Sequence, residues 1–232
     1  MKTNELLFET PERKIYKTED EKYWLVEINE PESVTVKSKK KGKNALSQID
    51  CDVAVNMFKY LNSFHVPNYF EKTAEKSKYV ARALEQIPIR IVVHNLASGH
   101  LVKKFGAEMY QELDSPILEF FKRDKKNSNL MLNEYHALAF NITTLEEFRM
   151  MSRIVTKINA ILKSFFLRRD LKLVKFACEF GRENGRLTLM SEINMNSCLF
   201  FDPSAKPEKD IYNPDNGMLE KAYTNLRNRV LS

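Results

Sequence analysis

The chain has 232 residues, 43% of them hydrophobic and 29% charged, which is the composition of an ordinary globular protein with ample material for a core. No stretch approaches the roughly 18 apolar residues of a membrane helix, and the N-terminus lacks the apolar segment of a secretory signal. Three scattered cysteines exclude a disulfide framework and a thiolate zinc site, so we expect a cytoplasmic protein.

The net charge of +6 is partly concentrated in residues 37–43, which read KSKKKGK. Such a run either binds phosphates or forms a solvated loop, and both interpretations stay open. No aromatic interleaving or nucleic-acid motif accompanies it, so neither DNA nor RNA is an expected partner, and no membrane is either. The sequence leaves open whether the chain forms a homo-oligomer.

The first third of the chain predicts a β-rich unit. Residues 23–28 and 33–37 alternate between apolar and polar side chains, as strands do. Apolar residues spaced three to four apart predict a helix over residues 46–64. Two short strands follow, near residues 79–84 and 89–95.

Pro88 separates those two predicted strands, and proline fits poorly inside a central strand. We therefore interpret Pro88 as a hinge between a lobe of residues 1–88 and a lobe of residues 89–232, packed as one compact unit.

The second part mixes helices and strands. Thr144 and Glu147 form a predicted capping box, and the apolar stripe that follows predicts a long helix packed on the core. Strands are predicted over residues 171–180 and 186–193, joined by a tight turn at Asn184-Gly185. A closing helix is predicted over residues 218–230.

Several sequence blocks together resemble one enzyme family. Residues 95–104 (NLASGHLVKK) are similar to the motif RNxAAGSLVKR, and residues 116–136 are similar to the pattern PIxEFxxKxD…N…H. Residues 179–181 reproduce the end of LEFG, and Ser197 and Asp202 fit DExSPDSxRLWD. These are motifs of the phosphoribosylaminoimidazole-succinocarboxamide (SAICAR) synthetase family, which the chain resembles over almost its whole length.

The resemblance implies a kinase-like two-lobe α+β fold with antiparallel sheets and a cleft between the lobes. It also implies an ATP-dependent reaction in which a carboxylate is phosphorylated and an amine then displaces the phosphate to form an amide. ATP and Mg²⁺ are the expected cofactors, and small carboxylates and amines are the expected substrates.

The nucleotide loop departs from the family pattern. The family has a GKAK-type loop whose lysines meet phosphates, whereas this chain has Thr10-Pro11-Glu12-Arg13-Lys14. Pro11 lacks a backbone N–H, so we expect weak nucleotide binding. The resemblance still assigns Arg13 and Lys14 to the nucleotide, and it assigns Arg123, in place of a lysine, to the transferred phosphate.

The metal position is also altered. Glu179 is retained and is the expected catalytic and metal-binding carboxylate, but Ser191 replaces the first acid of the family's DE pair and leaves Glu192. A strict two-residue turn at Asn184-Gly185 would place Glu179 and Glu192 on one sheet face, whereas a bulged turn would present Ser191. Without the resemblance, two such glutamates would be read as an exposed face.

The acceptor positions change most. His94 replaces a family arginine and His100 replaces the phosphate-holding serine, on either side of Ser98-Gly99. The two histidines either bind an anion or relay a proton, or else they only fill space. Asn196 and Leu199 replace an aspartate and an arginine, Ala177 replaces a lysine, and Ser197 is kept.

Basic residues near the acceptor positions allow two interpretations. Lys103 and Lys104 either receive a phosphate or carboxylate of the substrate or belong to a solvated basic rim. His65 and His136 are expected to be structural.

Two functions follow from this mixture of retained and lost residues. The first is a divergent ATP-dependent carboxylate–amine ligase with an altered substrate, in which His94, Ser98, Gly99, His100, Lys103, Lys104, Asn196 and Ser197 bind substrate. The second is a catalytically inactive family member that serves as a ligand-binding or protein-interaction scaffold.

Overall fold

A computed structural model describes residues 5–31, 46–123 and 130–232. The predicted strand over residues 33–37, the basic run at 37–43 and residues 124–129 of the motif block 116–136 lie outside these ranges. Among the described residues, no helix is long and apolar enough to cross a bilayer.

The first sheet is antiparallel and is built from the N-terminal part of the chain. Its strands are β1 (Leu6–Glu9), β2 (Arg13–Lys17), β3 (Tyr23–Ile28), β4 (Phe70–Thr73) and β5 (Lys78–Arg82), in the spatial order β1-β2-β3-β5-β4. Helix α1 (Leu46–Ser63) packs on this sheet, and its buried residues include Ala54 and Phe58, which share a hydrophobic core with Ile15 and Tyr79. The predicted β-rich opening and the predicted helix are confirmed.

The second sheet carries the longest strands. Its order is β10-β9-β6-β7-β8, with β11 added beside β9. The strands are β6 (Glu85–Leu96), β7 (Glu112–Lys122), β8 (Met131–Leu132), β9 (Lys172–Glu183), β10 (Arg186–Leu189) and β11 (Cys198–Phe201).

Four further helices accompany the second sheet in the part of the chain that the structure describes: α2 (His100–Phe105), α3 (Glu134–Ala139), α4 (Leu145–Leu167) and α5 (Leu219–Leu231). Thr144 caps α4 through the predicted capping box with Glu147. The buried stripe of α4, which includes Met151, Val155 and Ile158, lies in the same hydrophobic core as Ile89 and Ile91 of β6. Burial of each such side chain stabilises the fold by about 1.5–3 kcal/mol.

Pro88 does not separate two strands, and that prediction was wrong. The break falls between β5 and β6, at residues 83–84, and Pro88 lies inside β6. The pairing of β6 with β9 is interrupted between Gln86 and Arg90, so the missing N–H of Pro88 costs no ladder hydrogen bond there. Its carbonyl still accepts a bond of 2.9 Å from Arg123 N. Strand β6 therefore runs without a break through residues 88–89, where the boundary between the two lobes was predicted. The division into two lobes remains a prediction.

The hairpin between β9 and β10 has a strict two-residue turn, one of the two alternatives that the sequence left open. Glu183 pairs with Arg186 and Phe180 with Leu189, while Asn184 and Gly185 have φ values of 50° and 76°. Both central residues are in the left-handed region that this kind of turn requires. Strand β10 ends at Leu189 and not at residue 193, since the chain turns into the site at Ser191 and Glu192.

Candidate active site

One face of the second sheet is polar and the other is apolar. Arg90 pairs with Glu179, and His94 pairs with Lys175, on neighbouring strands β6 and β9. Because side chains alternate along a strand, these four residues lie on the same face, opposite the core residue Ile91. The sheet register thus brings together residues of β6 and β9 that are 81 or more positions apart in sequence, in two groups along one surface.

Arg13 joins the first sheet to this polar face. A tight turn before β2 places it, with Arg13 N donating to Thr10 Oγ1 at 3.2 Å. Its side chain is buried; Nη2 lies 3.0 Å from Glu179 Oε2, and Nη1 donates to Glu192 Oε2. Burial opposes the charge of Arg13, but the carboxylates of Glu192 and Glu179 raise its pKa above the ordinary value, so that it stays cationic.

Glu192 is enclosed by groups of the protein. Its second oxygen accepts hydrogen bonds from the hydroxyls of Tyr69, at 3.1 Å, and of Tyr79. Burial and the carboxylate beside them raise the pKa of both tyrosines, so both keep their protons and donate. Glu192 therefore acts as a buried link between the end of β10 and the first sheet.

Two more arginines extend the network. Arg123 Nε lies 3.1 Å from Glu179 Oε1, and Arg123 Nη2 lies 3.1 Å from Glu12 Oε2. Arg90 Nη1 lies 2.8 Å from Glu12 Oε1. Burial raises the pKa of Glu12, but the guanidinium groups of Arg90 and Arg123 outweigh it and hold that pKa at about 2. Three guanidinium groups and three carboxylates are thus linked in one network, which we call the arginine–glutamate network.

The arginine–glutamate network lines a narrow pocket with Ser191, Asn196 and Ser197. Asn196 Oδ1 accepts from Tyr223 at 3.0 Å, and Ser197 Oγ accepts from Asn194 N at 3.1 Å, so this loop is held in place. Ser191 Oγ accepts from Glu179 N at 2.9 Å. Predicted nucleotide, metal and substrate residues therefore meet in one pocket.

The carboxylates of this pocket suit magnesium in number and type. Mg²⁺ bound to a nucleotide usually takes one or two protein carboxylates and completes its shell with water and phosphate. Glu179 and Glu192 provide two carboxylates, but all four of their oxygens accept from arginine or tyrosine. In the described ranges, no group of three or more His, Cys, Asp or Glu side chains is placed to hold a metal. Metal binding here requires Arg13 to change partners.

A second group of polar side chains lies around Glu119 of β7. His94 Nε2 is 2.9 Å from Glu119 Oε2, and His100 Nε2 is 2.8 Å from Glu119 Oε1. We call these three residues the histidine–glutamate cluster. Burial lowers the pKa of His94, against the opposing effect of its hydrogen bond to Glu119. The cluster reaches the surface through His100, whose side chain is 40% exposed.

Ser98 and Gly99 lie between the two histidines. Ser98 is buried, and Gly99 has a φ of 56° at the turn into α2, a conformation that favours glycine. Three other predicted site residues lie apart from both groups. Lys103 and Lys104 are exposed on α2, and Lys14 is directed away from Arg13 and pairs with Glu9 at 3.3 Å.

The sequence interpretation missed several residues of the site: Glu12, Arg90, Glu119, Lys175 and the tyrosine pair. Strand alternation held the signal for some of them, since Arg90 and His94 share one face of β6. Tyr69 and Tyr79 gave no such signal, because they approach Glu192 from the first sheet. His136 has the expected structural role: its Nδ1 accepts from Asn133 N at 3.2 Å at the start of α3.

Comparison with known proteins shows which protein family the chain resembles. Residues 8–230 match the family model of SAICAR synthetase. The phosphoribosylaminoimidazole-succinocarboxamide synthase of Chloroherpeton thalassium is 32% identical over 233 residues, covering 100% of this chain and 99% of the relative. That of Clostridium novyi is 29% identical over 227 residues, covering 97% of each chain.

Solved structures agree with this class. A SAICAR synthetase in complex with ADP has a TM-score of 0.84 and 27% identity, with 96% of each chain covered. A SAICAR synthetase from Pyrococcus horikoshii has a TM-score of 0.83 and 25% identity, with 94% of this chain and 97% of that one covered. The fold and the family match place this α+β protein among ATP-dependent ligases. The chain belongs to the SAICAR synthetase family.

Proposed function

We propose that this protein is an ATP-dependent carboxylate–amine ligase whose acceptor differs from the aminoimidazole ribonucleotide that the family resemblance implies. The observation that carries the proposal is the convergence of Arg13 and Arg123 on Glu179. Phosphoryl transfer needs cations placed around the moving phosphoryl group and a carboxylate that holds its metal. Both kinds of group lie within hydrogen-bonding distance of each other in this pocket.

If Mg²⁺–ATP is bound, Arg13 and Arg123 would pair with phosphate oxygens, and Glu179 and Glu192 would hold the metal. Mg²⁺ would supply charge neutralisation. Glu179 would position the metal, and the guanidinium groups would stabilise the negative charge of the transferred group.

Nucleotide binding is expected to be weak for two reasons. Pro11 cannot donate a backbone hydrogen bond to a phosphate, and Ser191 replaces a carboxylate. In addition, the ion pairs of Arg13 are buried and must be broken before ligand contacts form, which costs free energy that an open site would not lose.

The altered acceptor is supported by the histidine–glutamate cluster. Glu119 accepts from both His94 and His100, so a carboxylate is placed among the residues that replace an arginine and a serine of the family pattern. The negative charge of Glu119 opposes a phosphate at this place and offsets the basic Lys175, which lies opposite His94 on β9.

Calorimetric titration with ATP, in Mg²⁺ and in EDTA, tests the proposal. Wild-type protein is expected to bind ATP at least about tenfold more tightly with Mg²⁺, a difference of about 1.4 kcal/mol. Glu179→Gln should remove this preference for Mg²⁺. Glu183→Gln should keep it, because Glu183 lies on the same strand but pairs with Arg82 outside the pocket. ATP binding that depends on neither Mg²⁺ nor Glu179 would contradict the metal role.

The second candidate, an inactive scaffold, is favoured by one specific observation. The arginine–glutamate network contains equal numbers of opposite charges, and the oxygens of Glu179 and Glu192 are all engaged. If folded wild-type protein binds no ATP at millimolar concentration with Mg²⁺, the scaffold function is supported and the ligase is rejected.

A further inference from the structure

The side chain of Glu12 enters the pocket from the loop between β1 and β2. Its Oε1 lies 2.8 Å from Arg90 Nη1, and its Oε2 lies 3.1 Å from Arg123 Nη2, so each carboxylate oxygen has its own guanidinium partner. The backbone carbonyl of Glu12 accepts from Asn29 N at 3.0 Å, which holds the loop beside the end of β3. A rotation of the side chain therefore suffices to separate Glu12 from the two arginines.

Arg90 and Arg123 are the two halves of an anion site that Glu12 fills. Among the residues that the structure describes, Arg90 forms its ion pair with Glu12 alone, whereas Arg123 also pairs with Glu179 at 3.1 Å. Two guanidinium groups that each donate to one oxygen of a carboxylate would donate in the same way to a carboxylate or phosphate of a ligand. The contacts of Glu12 thus show where such an anion would lie.

The surrounding charges favour an anion at this place. Without Glu12, the arginine–glutamate network would hold three guanidinium groups and two carboxylates, which leaves one positive charge in excess. Lys175 lies on the same face of the second sheet as Arg90, and burial together with the charge of Arg90 lowers the pKa of Lys175. Glu119 opposes that effect and offsets this lysine. The excess charge therefore remains with Arg90 and Arg123.

These groups are reachable from solvent. The side chains of Glu12, Arg90 and Arg123 are 23%, 25% and 17% exposed, against 4% for Arg13 deeper in the same pocket. The free volume of the pocket is about 20 Å³, which is room for about one water molecule. An anion larger than water consequently needs the space, as well as the partners, that Glu12 takes.

We propose that Arg90 and Arg123 form a binding site for an oxyanion group of a ligand, a carboxylate or a phosphate, and that the carboxylate of Glu12 occupies this site in the free protein. The inference rests on the proposed ligase function, whose substrates carry both kinds of group, and it specifies where one of them binds. Because Arg123 also contacts Glu179, the bound oxyanion lies one side chain away from the expected metal carboxylate. Glu12 competes with the ligand and lowers its affinity.

Titration of the full chain with inorganic phosphate and with malonate, followed by NMR chemical shifts at constant ionic strength, tests the site without ATP or metal. Glu12→Gln keeps the side-chain size and removes the charge, and it should bind at least one of these anions at least about tenfold more tightly than wild type. Glu9→Gln is the matched control, since Glu9 is an exposed residue near the same loop and pairs with Lys14. Its affinities should stay within about twofold of wild type, because exposed charges are screened.

A second substitution assigns the gain to the site. Arg90→Gln, added to Glu12→Gln, should cancel the gain in affinity, and the anion that Glu12→Gln binds more tightly shows whether the site takes phosphate or carboxylate. Unchanged affinity in folded Glu12→Gln would overturn the proposal. A gain that Glu9→Gln shares, or that survives the loss of Arg90, would also overturn it, because the effect would then come from net charge alone.

Wild-type protein provides a test that needs no folded variant. Saturation with the anion should move the ¹³C chemical shift of the Glu12 carboxyl carbon towards that of a solvated glutamate, and an unmoved signal would reject the displacement. The ATP titration tests the ligase separately. A gain in Glu12→Gln without any binding of Mg²⁺–ATP would keep the anion site and reject the ligase, whereas the reverse result would reject the anion site and leave the ligase.

Discussion

Arg13 and Glu179 form a buried ion pair of 3.0 Å between strands that are 166 residues apart in sequence. The pair joins the first sheet to the polar face of the second, and the remaining oxygen of Glu179 contacts Arg123 at 3.1 Å. The same contacts have two consequences. They stabilise the junction of the sheets, and they determine how the pocket receives a ligand.

Removal of Arg13 should destabilise the protein strongly. Arg13→Ala leaves the carboxylates of Glu179 and Glu192 buried without their shared cation, and breaking a buried pair in this way costs about 3–5 kcal/mol. Lys14→Ala is the matched control, since Lys14 is 36% exposed and its loss should change stability by no more than about 0.5 kcal/mol. Urea denaturation measures both. Similar values for the two variants would show that the Arg13 pairs contribute nothing to folding.

Asp50 of α1 should make stability depend on pH. Asp50 is fully buried; Oδ1 accepts from Met195 N at 2.8 Å, and Oδ2 has no hydrogen-bond partner within the described residues. Burial raises the pKa of Asp50 from 3.8 to about 8. The folded protein therefore binds this proton more tightly than the unfolded chain, so Asp50 lowers stability as pH rises from about 4 to about 8, by up to about 1.4 kcal/mol per pH unit.

Asp50→Asn should remove that dependence. Its side-chain oxygen still accepts from Met195 N, but no proton is lost between pH 5 and pH 8. The free energy of unfolding of this variant, relative to wild type, should increase steadily over that range. Asp52→Asn on the same helix controls for the loss of any carboxylate, since Asp52 is partly exposed and pairs with Arg227 at 3.0 Å. Parallel pH profiles for wild type and Asp50→Asn would contradict the burial effect.

The N-terminal cap of α4 should contribute measurably to the free energy of unfolding. Thr144 Oγ1 accepts from Glu147 N at 3.1 Å, and Thr144→Ala removes this bond at a cost of about 1 kcal/mol. Thr156→Ala, at an exposed position inside the same helix, should stay within about 0.5 kcal/mol of wild type. Thermal or urea unfolding measures the stability of both variants. If Thr144→Ala and Thr156→Ala lost the same stability, the loss would reflect helix propensity and not the cap.

Local patterns predicted much of this fold. The stripe of α4, its capping box and the Asn184-Gly185 turn all depend on neighbouring residues, and the structure confirms each of them. Pro88 shows the limit of such reasoning. Its local preference indicated a strand break, but a register irregularity between β6 and β9 accommodates it, and that irregularity depends on a partner strand about 90 residues away.

The site was predictable in its residues and not in its contacts. The family resemblance indicated Arg13, Arg123 and Glu179, which line one pocket. The partners of His94 and His100 could not be read from the sequence, because Glu119 reaches them only through the pairing of β6 with β7. The tyrosine pair that encloses Glu192 likewise depends on how the two sheets meet.

The most direct test of the altered acceptor is amide formation from ATP, carboxyaminoimidazole ribonucleotide and aspartate, followed by mass spectrometry from mildly acidic to neutral pH. Loss of anion contacts at His94, His100 and Leu199 should cost at least about 2.7 kcal/mol in the transition state, so we expect turnover about 100-fold or more below that of the Chloroherpeton thalassium relative at every pH. Turnover equal to that of the relative would contradict both the altered acceptor and the inactive scaffold.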